Sequence, residues 1–109
     1  MVDKRVDRTV WKSERFQVVH REIELVDGSP FARDVILHPG AVAFLPVFPD
    51  GRICLIRNYR LSIEQTLIEL PAGTLETGEA SAHCAQRELL EETGYQADSI
   101  ELLCSFYMS

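Results

Sequence analysis

The most constraining feature of this chain is the segment from Gly73 to Tyr95, which reads GTLETGEASAHCAQRELLEETGY. Residues three and four positions apart share one face of a helix, so Glu88 lies one turn before both Glu91 and Glu92. Three carboxylates on one helix face repel each other unless a positive charge joins them. The spacing therefore predicts a site for a hard divalent cation, and Mg²⁺ in such sites commonly also contacts substrate phosphates. The alternative interpretation is an acidic helix face that is simply solvated.

Composition excludes several other classes of protein. A chain of 109 residues with 46% hydrophobic and 26% charged residues is typical of one globular domain. The net charge of −6 argues against a nucleic acid as the partner. No apolar run is long enough to span a membrane, and residues 1–10 lack a signal-peptide core. Cys54, Cys84 and Cys104 have no metal-ligand spacing, which predicts reduced, buried thiols in a cytoplasmic protein.

Periodicity and turn residues predict an α/β arrangement with a mixed sheet. The predicted helix begins near Glu79, ends before Gly94, and packs on the sheet through Ala82, Ala85 and Leu89. A loop is expected over residues 73–78. Strands are predicted at residues 16–25, 31–37, 41–47, 53–59, 66–70 and 99–107, the first two forming an N-terminal hairpin.

The acidic segment resembles the Nudix box, G-x5-E-x7-R-E-U-x-E-E-x-G-U, in which U is a large aliphatic residue. Tyr95 departs from the pattern at its last position, where a core-packed aliphatic residue is usual. The positions that match are Gly73, Glu79, Arg87, Glu88, Leu89, Glu91, Glu92 and Gly94. The resemblance implies an α/β/α sandwich of the Nudix type. It assigns residues 38–109 to an incomplete catalytic domain and residues 1–37 to a hairpin region used for dimerisation and for covering the substrate.

A second resemblance concerns the substrate. The residues Glu69-Leu70-Pro71-Ala72-Gly73 before the box, with Tyr59-Arg60 upstream, are similar to those of ADP-ribose pyrophosphatases and related nucleotide-sugar hydrolases. The start of the catalytic domain, residues 38–42, is similar too. This implies hydrolysis of ADP-ribose to AMP and ribose 5-phosphate. GDP-mannose or another nucleotide sugar is the competing substrate, and a nucleotide-binding module that does not cleave its ligand is the competing class.

The resemblance also implies residue roles. Glu88 and Glu92 match the principal Mg²⁺ ligands, with Mn²⁺ able to substitute, and Glu91 matches a further ligand or a carboxylate that orients water. The carbonyl of Ala72 matches a backbone ligand. Together, Glu88, Glu91 and Glu92 are the predicted catalytic residues.

Other residues are assigned to the substrate or to support. Arg60 matches an arginine that contacts the diphosphate, for which a guanidinium is suited because it can bind two oxygens at once. Glu69 alternates with apolar neighbours, so it is expected to point away from the core, either toward the substrate or into solvent. Phe31 is a candidate for stacking on a base, with core or interface packing as the alternative. Gly73, Glu79 and Arg87 are expected to support the box.

The resemblance further implies a homodimer and additional elements after Ser109, among them a glutamate that acts as base. The expectation is therefore a C-terminally truncated chain that binds metal weakly and hydrolyses little. Its alternative is a fragment that folds only through oligomerisation.

Overall fold

The structure is a computed structural model that describes residues 4–108. It divides into two compact units, Met1–Pro39 and Gly40–Ser109, each of which is described by itself. The elements in chain order are β1 (Arg5–Lys12), β2 (Gln17–Glu24), β3 (Pro30–Leu37), β4 (Ala41–Ala43), β5 (Ile56–Arg60), β6 (Gln65–Glu69), β7 (Ala72–Thr74) and α1 (Ser81–Thr93). No helix among residues 4–108 is long and apolar enough to cross a membrane.

The first unit is an antiparallel sheet in the order β1-β2-β3. The predicted hairpin is confirmed as β2 and β3, and its turn is closed by Asp27, whose carboxylate accepts hydrogen bonds from the backbone N–H and hydroxyl of Ser29 at 2.9 and 2.6 Å. Strand β1 was not predicted, because every one of its residues is exposed and its charges mask the alternation. It is held to β2 partly by Arg21, which donates two hydrogen bonds to Asp7 at 2.9 and 3.0 Å.

The second unit contains two short antiparallel pairs, β4 with β7 and β5 with β6. All strand pairings within residues 4–108 are antiparallel, and none is parallel. Helix α1 packs on β7 and β4 through Cys84, Ala85 and Leu89, which are buried. Ala82, which was predicted on this face, is exposed instead.

Several predicted boundaries are wrong. The strand predicted over 41–47 ends at Ala43, and Val47 only forms an isolated bridge with Ile53. The loop predicted from residue 73 begins later, because residues 73 and 74 belong to β7. Helix α1 begins at Ser81 rather than near Glu79, since Glu79 closes a turn by donating its N–H to the carbonyl of Glu76 at 3.0 Å.

The strand predicted over residues 99–107 is absent, and residues 98–108 are exposed with no helix or strand. A β-strand needs a neighbour for its backbone groups, and no strand within residues 4–108 pairs with this segment. Its apolar side chains, such as Leu102 and Leu103, are consequently 73% and 79% exposed. Cys104 is exposed and Cys54 half-buried, so only Cys84 meets the prediction of a buried thiol.

Candidate active site

The three glutamates of α1 form an acidic face, defined here as Glu88, Glu91 and Glu92. The side chain of Glu88 is 14% exposed and that of Glu91 is 57% exposed, so the face runs from the packed side of the helix into solvent. The helix ends at Thr93, one residue beyond Glu92, because Gly94 adopts a left-handed φ of 78°, and the N–H of Gly94 caps the carbonyl of Leu90. The acidic face therefore occupies the last two turns of α1.

Glu92 lies near other charges of the second unit. Partial burial raises the pKa of its carboxyl group above the usual value, and the like charges of Glu88 and Glu69 raise the pKa further. A hydrogen bond from the backbone of Ala72 and the positive charge of Arg60 act in the opposite direction. A cation at this point would relieve the repulsion among the carboxylates. The structure thus brings four other predicted site residues close enough to Glu92 to shift its pKa: Glu69, Glu88, Arg60 and Ala72.

Gly73 permits a close approach of β7 to the helix. A Cβ atom added at Gly73 would overlap Cγ, Cδ and Oε1 of Glu88. Glu88 is a long side chain with several rotatable bonds, so a larger residue at position 73 would displace its carboxylate rather than separate strand from helix. The glycine therefore defines where the Glu88 carboxylate lies.

We expect Gly73→Ala to impair any metal-dependent activity much more than stability. Displacing one charged ligand should lower kcat/KM by on the order of 100-fold, whereas the free energy of unfolding should fall by less than about 2 kcal/mol. Steady-state kinetics and chemical denaturation of the same preparation measure the two effects. Gly78→Ala is a control for the kinetics only, since no atom lies within 4 Å of its added Cβ, whereas its left-handed φ of 74° makes alanine costly for stability. Unchanged kinetics for Gly73→Ala would contradict the assignment.

Arg87 connects the helix to the loop before it. Its Nε and Nη2 atoms each donate a hydrogen bond to the Glu79 carboxylate at 2.9 Å, and Nη2 also donates to the carbonyl of Thr74 at 3.3 Å. Nη1 reaches the acidic face, donating to Glu88 at 2.9 Å and to Glu91 at 3.5 Å. One guanidinium therefore neutralises part of the acidic face and fixes the turn in front of α1.

The Glu79 carboxylate is largely enclosed, with its side chain 5% exposed. Hydrogen bonds from Arg87 above all, and then from the backbone of Glu76 and from His83, hold the pKa of Glu79 far below its usual range. A carboxyl group whose pKa falls on folding adds stability above its unfolded pKa and loses it as the pH drops toward the folded value. Glu79 should thus stabilise the fold at neutral pH and progressively less in acid.

We expect Glu79→Gln to melt below the wild type at pH 7, and the difference in Tm to shrink as the pH falls below the usual glutamate pKa of 4.5. Other carboxylates with lowered pKa, Asp7, Asp27 and Glu69, also lose stabilisation in acid, so the difference between the two proteins is the informative quantity. Thermal unfolding followed by circular dichroism from pH 3 to pH 8 measures it. A gap in Tm that stays constant over this range would refute the role given to Glu79.

Arg60 and Glu69 form a second charged pair beside the acidic face. Arg60 donates through Nε and Nη2 to both oxygens of Glu69, at 2.7 and 2.6 Å. The Glu69 side chain is only 19% exposed, whereas Ile68 and Leu70 are 65% and 41% exposed. The alternative in which Glu69 is a solvent-exposed strand residue is therefore wrong, because its ion pair with Arg60 covers the carboxylate.

Phe31 belongs to the other unit. It lies on β3 and is 39% exposed. The guanidinium of Arg33 stacks over its ring, 4.3 Å from the ring centroid. Its predicted contact with a base stays a prediction. Trp11 packs against Phe16 with 5.3 Å between ring centroids, and Tyr95 packs edge-on against Phe48 at 5.0 Å.

Comparisons with known proteins bear on the family and the fold. The NUDIX domain pattern matches residues 37–108. The chain belongs to the Nudix family. It is 43% identical to an ADP-ribose pyrophosphatase of Bacillus subtilis over 81% of this chain and 48% of the relative. A methanol dehydrogenase activator of Bacillus methanolicus is 41% identical over the same shares of the two chains. A GDP-mannose pyrophosphatase of Yersinia enterocolitica is 37% identical over 64% of this chain and 39% of the relative.

A solved structure described as an ADP compounds hydrolase superposes with a TM-score of 0.68 and 27% sequence identity, covering 91% of this chain and 53% of that one. The prediction of a Nudix-type α/β fold is thereby confirmed. The chain spans about half the length of the two Bacillus relatives.

The residues of the Nudix box suit a magnesium ion by the chemistry of their donors. The acidic face supplies carboxylate oxygens, which Mg²⁺ prefers, and the close approach at Gly73 holds Glu88 near β7. However, no group of three His, Cys, Asp or Glu side chains among residues 4–108 is already gathered at ligating distances. Arg87 accounts for this in part, because its Nη1 binds Glu88 and Glu91.

One residue of the candidate site, Asn58, was missed by sequence reasoning, and Cys84, predicted as a buried thiol, has a structural role beside it. The Asn58 side chain hydrogen-bonds the Glu69 carboxylate, and its position two residues before Arg60 on one strand could have indicated a shared face. Cys84 lies 3.7 Å from the carbonyl of Thr74, and burial, the main cause, raises the pKa of this thiol to about 11. Cys84 therefore remains a protonated, unreactive link between helix and strand.

Proposed function

We propose that the protein is a Mg²⁺-dependent hydrolase of the diphosphate bond in a nucleoside diphosphate sugar, with ADP-ribose cleaved to AMP and ribose 5-phosphate. The observation that carries the proposal is the placement of Arg60 and Glu69 beside Glu92 and Ala72, with Glu88 held against Gly73. An acidic face next to a half-exposed arginine is suited to a cation and to a phosphate at one place. The names of the ADP-ribose and GDP-mannose pyrophosphatase relatives support the substrate class.

Glu88 and Glu92, with the carbonyl of Ala72, would hold the ion. When bound, Mg²⁺ supplies charge neutralisation at phosphate oxygens and a lower pKa for a coordinated water. Arg60 would donate hydrogen bonds to the diphosphate, and its fixed charge would hold the phosphate oxygens of the substrate in place. Glu91 is exposed enough to accept a hydrogen bond from a water molecule and orient it.

A panel of nucleotide sugars tests this function. ADP-ribose, GDP-mannose and UDP-glucose are incubated with the protein in Mg²⁺, in Mn²⁺ and in excess chelator, and the products are separated by chromatography. We expect slow release of AMP from ADP-ribose in either metal, in line with the weak metal binding expected of this chain, and none with chelator. Faster release of GMP from GDP-mannose would assign the competing substrate. Binding of these compounds without any cleavage would instead identify a non-catalytic nucleotide-binding module.

Two parts of the proposal concern assembly and location. We propose a homodimer in which residues 1–37 cover the partner's substrate, supported by exposed apolar side chains in the first unit, among them Val6, Trp11 and Ile36 at 64%, 52% and 67%. Light scattering of the eluted protein tests the dimer, and a monomer at micromolar concentration would contradict it. We also propose a cytoplasmic location, because the spacing of the three cysteines predicts reduced thiols.

A further inference from the structure

The ion pair between Arg60 and Glu69 leaves part of the guanidinium available. Glu69 occupies the Nε and Nη2 edge of Arg60 with two short hydrogen bonds, and no hydrogen bond of Nη1 is observed within residues 4–108. The Arg60 side chain is 48% exposed, in contrast to the 19% of Glu69. The Nε–Nη2 edge of the Arg60 guanidinium is therefore fixed by Glu69, and the Nη1 edge remains available to a ligand.

The carboxylate of Glu69 is itself held in place. The Asn58 side chain hydrogen-bonds it, and both Asn58 and Arg60 lie on the same face of β5 because side chains alternate along a strand. Glu69 ends β6, the antiparallel neighbour of β5. The arginine is thus anchored to a strand pair rather than to a loop, and it lies within electrostatic range of Glu92.

We infer that Glu69 is a positioning residue, which acts on a diphosphate only through Arg60 by fixing the direction of the free guanidinium edge. An arginine side chain has several rotatable bonds, and holding one edge removes most of that freedom before the ligand binds. This role differs from direct contact of Glu69 with the substrate, which its low exposure and its occupied oxygens disfavour. The inference rests on the proposed function for the identity of the ligand.

A double-mutant cycle tests the inference. Hydrolysis of ADP-ribose is measured for the wild type, Glu69→Ala, Arg60→Ala and the double variant. Loss of an ordered charged hydrogen bond should raise KM about tenfold in either single variant and change kcat less than about threefold. Because Glu69 acts through Arg60, the double variant should have the KM of Arg60→Ala alone. Glu69→Gln, which keeps an acceptor oxygen, should fall between the wild type and Glu69→Ala.

The controls separate positioning from a general structural effect. Arg57→Ala removes an arginine from the opposite face of β5 and should leave KM unchanged. Multiplicative effects of the two substitutions would show that Glu69 contacts the substrate independently or merely stabilises the fold, and either result overturns the inference. An unchanged KM for Glu69→Ala would overturn it as well.

Failure of the proposed function would give a result that is distinct from failure of the positioning role. In that event the wild type cleaves no nucleotide sugar, and the same cycle is read from the affinity for ADP-ribose by calorimetry. A lower affinity in both single variants, with no further loss in the double variant, would still support the positioning role. Equal affinities in all four proteins, or no binding to any of them, would remove it.

Discussion

The Glu92→Gln protein is expected to hydrolyse ADP-ribose about a thousandfold more slowly than the wild type at saturating Mg²⁺. Glutamine keeps the size of the side chain but removes the negative charge that a hard cation requires. Glu92 is the carboxylate on which Ala72, Arg60, Glu69 and Glu88 all act, so its loss affects the centre of the proposed site. The measurement is kcat/KM as a function of Mg²⁺ concentration.

A second readout does not depend on catalysis. Mn²⁺ binding followed by electron paramagnetic resonance should weaken by about tenfold or more in Glu92→Gln. Glu101→Gln is the matched control, because Glu101 is exposed in the segment without regular structure. Activity of Glu92→Gln within tenfold of the wild type, together with unchanged Mn²⁺ binding, would contradict the metal site on the acidic face.

The largest effect on stability is expected from Arg87→Ala. Removing this guanidinium leaves the enclosed Glu79 carboxylate without its main partner and frees the carbonyl of Thr74. It also restores the repulsion between Glu88 and Glu91 that the arginine offsets. An enclosed charge without its partner is strongly destabilising, and the Tm should fall by on the order of 10 °C.

Differential scanning calorimetry measures the change, and a second variant identifies its cause. In the double variant Glu79→Ala/Arg87→Ala no unpaired carboxylate remains at position 79, so its Tm should exceed that of Arg87→Ala. Arg52→Ala is the control for removal of an exposed, ion-paired arginine, whose side chain is 80% exposed. A double variant less stable than Arg87→Ala would show that the arginine acts by some means other than its pairing with Glu79.

Local patterns in the sequence predicted the elements whose signals are local. Helix α1, its end at Gly94 and the hairpin of β2 and β3 follow from periodicity and turn residues, which need no information on neighbours. The strand predicted over 99–107 failed for the opposite reason. A strand depends on a pairing partner, and apolar composition alone does not supply one.

In the candidate site, too, the features set by local spacing were predicted and those set by contacts between elements were not. Spacing along one helix placed Glu88, Glu91 and Glu92 on a common face, and the structure agrees. The low exposure of Glu69 could not be predicted, since alternation along β6 favoured its apolar neighbours for the core. Its ion pair with Arg60 forms between different strands, and one-dimensional patterns do not encode such contacts.

The contrast between the cysteines gives the protein a selective chemical handle. With a pKa of about 11, the thiol of Cys84 has almost no thiolate at neutral pH, whereas Cys104 is exposed in a segment without regular structure. Once the half-buried Cys54 is replaced by serine, a maleimide dye or nitroxide added at pH 7 would therefore attach at Cys104 and spare the junction between α1 and β7. Distances from that label to a paramagnetic ion would then report on ion occupancy without altering any carboxylate.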